Sequence, residues 1–515
     1  MHVFETLLLL LLGATVLSTV ARRFGIPYPA LLAVGGALVA IMPGAPRLDL
    51  PPELILALFV APVLLDAAYD ASPRDLRQNW VALSSLVLVA VALTTVAVAV
   101  TARKLLPDMP WAAAVALGAL LAPPDAVAAL AVLRQVAPPH RMRVVLEGES
   151  LMNDASALLI YRLAVGAVAT GGFSVAGAAP TFALVFVGSA IVGWLLARPA
   201  GILIERVSDA PSSVILQFVM TFGVWIGAER LGLSSVVTIV VFGLSVSRRN
   251  ASPLSARLRV PSFAIWETVT FLLNVLAFTL IGLQVRPILE ALSGAERLRY
   301  LVAALVILAV VILVRVSWVL AHHGLVTLAN RLAPPRAAKG STPRPTVKDA
   351  LAVGWSGMRG IVTLAAAMGL PAGFPYHDFI QLTAFVVVLG TLVLQGLTLR
   401  PVLSLLGLPS DTVVERELAV ARKAALKAAM AELADDRTPA AERLRQEYAD
   451  ALDRARVGGN ARDTPDNLLR LRLVQASREA IANLRSGGAI GDVAYRRVEE
   501  ELDWLELSAE TGSSG

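Results

Sequence analysis

The sequence predicts an all-α polytopic membrane protein. About thirteen transmembrane helices form two inverted-topology repeats, each with a broken helix at the midplane, and a small helical cytosolic C-terminal domain follows. Three observations predict this. First, of 515 residues 56% are hydrophobic and only 16% are charged, against about 25% charged in an ordinary soluble domain. A soluble chain this apolar could not cover its surface with polar groups. Second, the apolar residues come in runs of about 20, the length that crosses a 30 Å hydrocarbon core. Such runs are too long for the roughly 10-residue alternating strands of a membrane barrel. Third, two of the runs are interrupted by Pro or Gly beside a charged residue.

The expected spans are 3–20, 28–44, 54–69, 80–101, 111–133, 144–170, 178–199, 212–228, 234–247, 262–283, 299–328, 349–370 and 378–406. The first has no Lys or Arg before it and no small-residue cleavage site, so it reads as a retained span rather than a signal peptide. Loop charge tests the count. With the N-terminus outside, the inside loops carry 18 Lys and Arg and the outside loops 7. That bias supports thirteen spans with the C-terminus inside. Away from span ends, only Arg162, Arg315 and Arg359 fall within spans, while Arg400 sits near a span end and can snorkel.

The domain boundary is a change of composition. Residues 1–408 read as the transmembrane domain and 409–515 as a cytosolic tail. Up to Pro409 the net charge is +10, and from Ser410 onward it is −4. The basic pI thus comes from membrane loops, and no nucleic-acid partner is needed to explain it. In the tail, Leu444, Tyr448 and Leu452 share one helical face, and Val498, Leu502 and Leu505 share another. Breaks near Thr438-Pro439, Gly458-Gly459, Thr464-Pro465 and Gly487-Gly488 predict three or four amphipathic helices, and 510–515 reads as disordered. The absence of Cys excludes disulfides, iron–sulfur clusters and thiolate chemistry. The five His, two of them adjacent at His322 and His323, offer no i,i+4 metal pair.

The fifth span contains Pro123-Pro124-Asp125. Two prolines remove two backbone donors and break the helix. A lipid-facing break would strand carbonyls, so this one faces protein or water. Freed carbonyls next to a carboxylate suit a small hard cation. The alternative is a plain kink, with Asp125 capping the second half-helix. The sixth span opens Glu147-Gly148-Glu149-Ser150-Leu151-Met152-Asn153-Asp154. Ser150 and Asp154 share one helical face and Glu149 and Asn153 the adjacent one, so ligands and supports can be separated on one helix. Glu149 needs a buried cation to stay charged, and Arg315 is the candidate. The alternative reading, acids that favour a helix start, suits Glu147 better than Asp154.

In the twelfth span, Gly354, Gly357 and Gly360 surround Arg359. Close helix packing is one use for such glycines, but with Arg359 among them a second broken helix is favoured. The fifth and twelfth spans are seven apart and run in opposite directions. Interrupted spans in corresponding halves point to an inverted-repeat transporter with a midplane site. Asp66 is a third acidic candidate, or else a solvated interface acid. Glu267 reads as structural or interfacial, Glu205 and Glu229 as loop-edge residues, and Arg162 is left open.

Residues 123–128 (Pro-Pro-Asp-Ala-Val-Ala), 146–154 (Leu-Glu-Gly-Glu-Ser-Leu-Met-Asn-Asp) and 357–360 (Gly-Met-Arg-Gly) resemble the bacterial sodium/proton antiporters of the NhaP/NHE type. The resemblance covers about residues 1–408. It implies a transporter rather than an enzyme, in the bacterial inner membrane, with no cofactor. Its partners would be a monovalent cation, a proton, the bilayer and a second copy in a homodimer. It implies that Asp154 is the main cation and proton site, that Asp125 lies at the helix crossing, that Ser150 offers its hydroxyl, and that Glu149 and Arg315 form a buried ion pair. Asn153, Pro124 and Asp66 join the expected cation-binding set. Arg359, Gly357, Gly360 and Pro123 are expected to support the broken helices. Many relatives carry Thr-Asp-Pro where this chain has Pro124-Asp125-Ala126, so only a backbone carbonyl replaces the Thr hydroxyl.

Burial disfavours a charged carboxylate and a neighbouring cation restores it, so one site can hold either a proton or Na⁺. With Asn153 in place of a second Asp, one-for-one electroneutral exchange is expected. K⁺/H⁺ exchange, an ion channel, and an ion or pH sensor signalling through the tail are the alternatives. Residues 409–515 contain no Gly-rich phosphate loop, which favours a regulatory or dimer-stabilising tail.

Overall fold

The computed structural model describes residues 2–43, 51–133, 138–170, 175–249, 256–332, 346–371, 373–408, 413–457, 465–487, 489 and 492–510. Every regular element among them is helical. The chain divides into two compact units, Met1–Ser410 and Asp411–Gly515.

In the first unit, eight helices among the described residues are long and apolar enough to cross a membrane. They are Pro52–Asp70, Trp80–Leu105, His140–Ala169, Ala183–Glu205, Ala210–Arg230, Leu258–Glu290, Glu296–Leu332 and His377–Leu406. Tyr28–Ile41, Trp111–Leu121 and Ser235–Arg248 are apolar but shorter. The expected fifth and twelfth spans are not continuous helices. The fifth is split into Trp111–Leu121 and Ala126–Leu133, the twelfth into Val347–Trp355 and Ile361–Met368. Leu9, Leu184, Ile215, Leu298 and Leu313 stay more than half exposed. An apolar outer face of this extent belongs in lipid, and the chain is an integral membrane protein. Arg47, Arg134, Arg336, Lys339 and Arg344, all used in the loop-charge argument, lie outside the described residues.

Helices approach closely where glycine permits it. A methyl group on Gly36 would strike the backbone at Thr279, and one on Gly282 would strike the backbone at Ala33. Tyr28–Ile41 and Ala256–Leu283 are thereby locked backbone to backbone, the small-residue packing usual in membranes. Two stretches, Leu56–Val60 and Ser85–Ala90, take the wider π-helical turn. Such a turn disturbs the regular carbonyl ladder, and here Ser156 Oγ donates to the Val87 carbonyl at 2.8 Å.

The second unit holds four helices, Val413–Glu432, Pro439–Val457, Pro465–Ser486 and Asp492–Glu510. The first packs on the second and the third on the fourth. Thr438 begins the second helix, its hydroxyl accepting the Ala441 N–H at 3.2 Å. Leu452 and Leu502 are buried, but Leu444 and Leu505 on the same faces stay exposed. A two-helix hairpin covers only a narrow stripe of each apolar face. The breaks expected at 458–459, 464 and 488, and residues 511–515, lie outside the described residues.

Candidate functional site

The two broken helices cross. Pro123 and Pro124 have no N–H to donate, so the backbone leaves the helix over 122–125. Over 356–360 the backbone is likewise non-helical. The two unwound segments meet where the Asp125 N–H donates to the Met358 carbonyl at 2.7 Å. Asp125 Oδ1 accepts the Val127 N–H at 2.9 Å, capping the helix that restarts at Ala126. The capping role and the place at the crossing thus coexist in one side chain. Its other carboxylate oxygen lies over Gly360, where a Cβ would collide with it.

Arg359 is 1% exposed. Its Nε donates to the Leu121 carbonyl at 2.8 Å and its Nη2 to the Ala122 carbonyl at 3.2 Å. Nη1 donates to the Gly357 carbonyl of its own segment. These are the carbonyls that a helix end leaves without partners, and a cation there also suits the dipole. The Arg359 backbone N–H donates to Thr391 Oγ1 at 3.0 Å. Nothing in the sequence pattern singles out Thr391, one of several threonines in an apolar run.

Helix His140–Thr170 carries the remaining acids. Arg315 grips Glu149 through both carboxylate oxygens, at 2.6 and 2.8 Å. Both side chains are buried, and paired burial of this two-pronged kind is what keeps each group charged. Gly357 gives Arg315 its room, since a Cβ on it would run into the arginine side chain. On the same face, one turn on from Glu149, Asn153 Nδ2 donates to the Pro124 carbonyl at 2.9 Å. Asn153 is fully buried, so the structure engages it in tying the helix to the break.

Ser150 and Asp154 point the other way, into a cavity of about 60 Å³ that Asp125, Pro123, Pro124, Gly360 and Thr363 also line. Its remaining wall is apolar, with Phe59, Val60, Leu64, Ala277 and Phe278, except for Asn274. A water occupies roughly 10–15 Å³ on this measure, so the cavity suits a partly hydrated small ion. Its donor set of carboxylate, hydroxyl and amide oxygens is hard, the kind that Na⁺ and other s-block cations prefer.

Asp66 is not in this group. It lines a second cavity of about 80 Å³ with Tyr69, Gln217, Phe263 and Trp266. It lies two residues past Leu64, about 200° further round the helix, and so faces away from the first cavity. Asn274 was not among the expected ligands. Its signal was present, a lone amide in the apolar run 271–283.

Comparison with known proteins places this geometry. The family model "Sodium/hydrogen exchanger, transmembrane" matches residues 7–405. An uncharacterized Na⁺/H⁺ exchanger of Mycobacterium tuberculosis H37Rv is 30% identical over 96% of this chain and 94% of its own length. A sodium, potassium, lithium and rubidium/H⁺ antiporter of Bacillus pumilus is 31% identical over 77% of this chain and 60% of its own length. Among solved structures, the sodium proton antiporter MjNhaP1 of Methanocaldococcus jannaschii at pH 8 covers 77% of this chain and 100% of its own, with TM-score 0.57 and 18% identity. That likeness is one of fold. With a family model matched across nearly all of the membrane unit, the chain belongs to the sodium/hydrogen exchanger family.

Proposed function

We propose that the chain is a secondary antiporter exchanging monovalent cations, Na⁺ foremost, for protons by alternating access. The observation that supports this reading most is the shared cavity of Asp125, Asp154 and Ser150 beside the crossing of two broken helices. A buried carboxylate there must be neutralised, and either a proton or Na⁺ can do it. Because the two compete for Asp154, carrying one inward and the other outward couples their gradients. Asn153 is neutral, so exchange is one for one and electroneutral. Ser150 and the Pro124 carbonyl complete the ion's shell from the crossing side. Asp66 stands outside this ligand set, because its cavity is a separate one.

The wider reading has thirteen spans in two inverted repeats, in the bacterial plasma membrane. The N-terminus is outside and the tail cytoplasmic. Residues 1–408 carry exchange, residues 409–515 regulate it or brace the assembly, and the working unit is a homodimer. K⁺/H⁺ exchange is the second reading. It is favoured by the broad ion range in the printed name of the Bacillus pumilus relative and by Pro124, which brings no hydroxyl to the site.

The test is a preset pH gradient in proteoliposomes, challenged with NaCl, KCl or choline chloride. The expected result is collapse with Na⁺ in wild type and none with Asp154→Asn. A gradient that survives both Na⁺ and K⁺ in wild type at every pH tried overturns the reading.

A further inference from the structure

Asn274 lies on helix Ala256–Leu283. With Ala277 and Phe278, three and four residues on, it forms the face that this helix turns to the ion cavity. Along the wall made by this helix and Pro52–Asp70, the other lining side chains are hydrocarbon, and Asn274 is the one polar group. It is half-buried, and among the described residues no hydrogen bond occupies its amide. Asn153 differs, since its amide nitrogen is spent on the Pro124 carbonyl. An uncommitted amide facing two carboxylates across a cavity of about 60 Å³ has a carbonyl oxygen to give to a cation.

We propose that Asn274 is a cation ligand, supplied from the wall opposite the crossed helices and used on only one side of the transport cycle. This rests on the antiporter reading above. The helix that carries Asn274 is locked to Tyr28–Ile41 through Gly36 and Gly282. Asp125 and Asp154 belong instead to the crossed-helix bundle. When that bundle moves against the wall, the carboxylates travel with the ion and Asn274 stays behind. The ion is therefore held by one more oxygen in the conformation described here than in the opposite one, and the two faces of the membrane see different cation affinities.

The experiment uses full-length protein in vesicles of defined orientation, with Na⁺ added to one face at a time. Asn274→Leu keeps the volume and removes the amide. It is expected to raise the apparent KM for Na⁺ about three- to tenfold, the worth of one neutral ligand, at one face only and with the maximal rate kept within about twofold. Asn274→Asp, which keeps an oxygen there, is expected to hold KM at or below the wild-type value at that face. A KM unchanged at both faces in Asn274→Leu overturns the proposal. An equal shift at both faces overturns its one-sided part. Should Asn274→Leu fail to fold, a raised KM in Asn274→Asp overturns it instead. Failure of the antiporter reading is separate, because there the wild type itself shows no cation-driven proton movement.

Discussion

Arg315 holds both oxygens of the Glu149 carboxylate, at 2.6 and 2.8 Å, with the two side chains 3% and 1% exposed. Removing one member strands the other charge in the interior, at a cost of about 3–5 kcal/mol. Glu149→Leu and Arg315→Leu are each expected to lower the melting temperature sharply in detergent. The double variant is expected to lose much less than the sum of the two. Additive losses would mean that the pair does not act as a unit.

Gly360 leaves space for the Asp125 carboxylate that no other residue would. Gly360→Ala is expected to displace that carboxylate and to weaken Na⁺-driven proton movement strongly, whereas Gly13→Ala, in open space, is neutral. Matched transport rates for the two variants would show that the Asp125 position is not critical.

Thr391 accepts the Arg359 backbone N–H at the second break. Thr391→Val keeps the shape but leaves a buried donor unpaired, at a cost of about 1–3 kcal/mol. Thr391→Ser is expected to restore most of it. Thermal unfolding of the purified protein reads both, and equal melting points for Val and Ser would argue against the contact.

If proton and cation compete for one carboxylate, as proposed, that competition sets the pH response. Below the pH at which the site is half protonated, each further unit of acidification multiplies the ratio of protonated to free carboxylate by ten. By mass action the apparent KM for Na⁺ then rises about tenfold per unit. Above that pH the KM levels off. Initial rates against Na⁺ concentration at several pH values measure this. A KM indifferent to pH would mean that proton and cation do not share a site.

Much of the site was legible in the sequence because the bilayer makes polar residues conspicuous. Intramembrane acids and arginines are rare, and the i,i+4 rule alone sorts residues 149–154 into two faces. The Pro-Pro pair marked the first break through chemistry local to the chain. Asn274 and Thr391 were harder. Each is a single polar residue on a distant helix, and only tertiary packing reveals which way it faces. Asp66 was misleading for the opposite reason. Its residue type suits the site, but which face of its helix meets the cavity is set by tertiary packing, which composition does not encode. The tail's apolar faces were visible by periodicity, while their partial coverage depends on how many helices gather there.

The guanidinium of Arg359 bound across the break has an electrical consequence. The crossing region gathers three carboxylates, Asp125, Glu149 and Asp154, and two guanidinium groups, Arg315 and Arg359. With every group ionised the bundle is short of neutrality by one positive charge. A single Na⁺ or a single proton would supply it, and a bundle so laden would be neutral with either passenger. An empty bundle keeps a bare negative charge, and shifting that through a low-dielectric surround is costly. On the antiporter reading proposed above, Arg359 would thereby fix the load at one ion and suppress an unladen return that lets either gradient leak away.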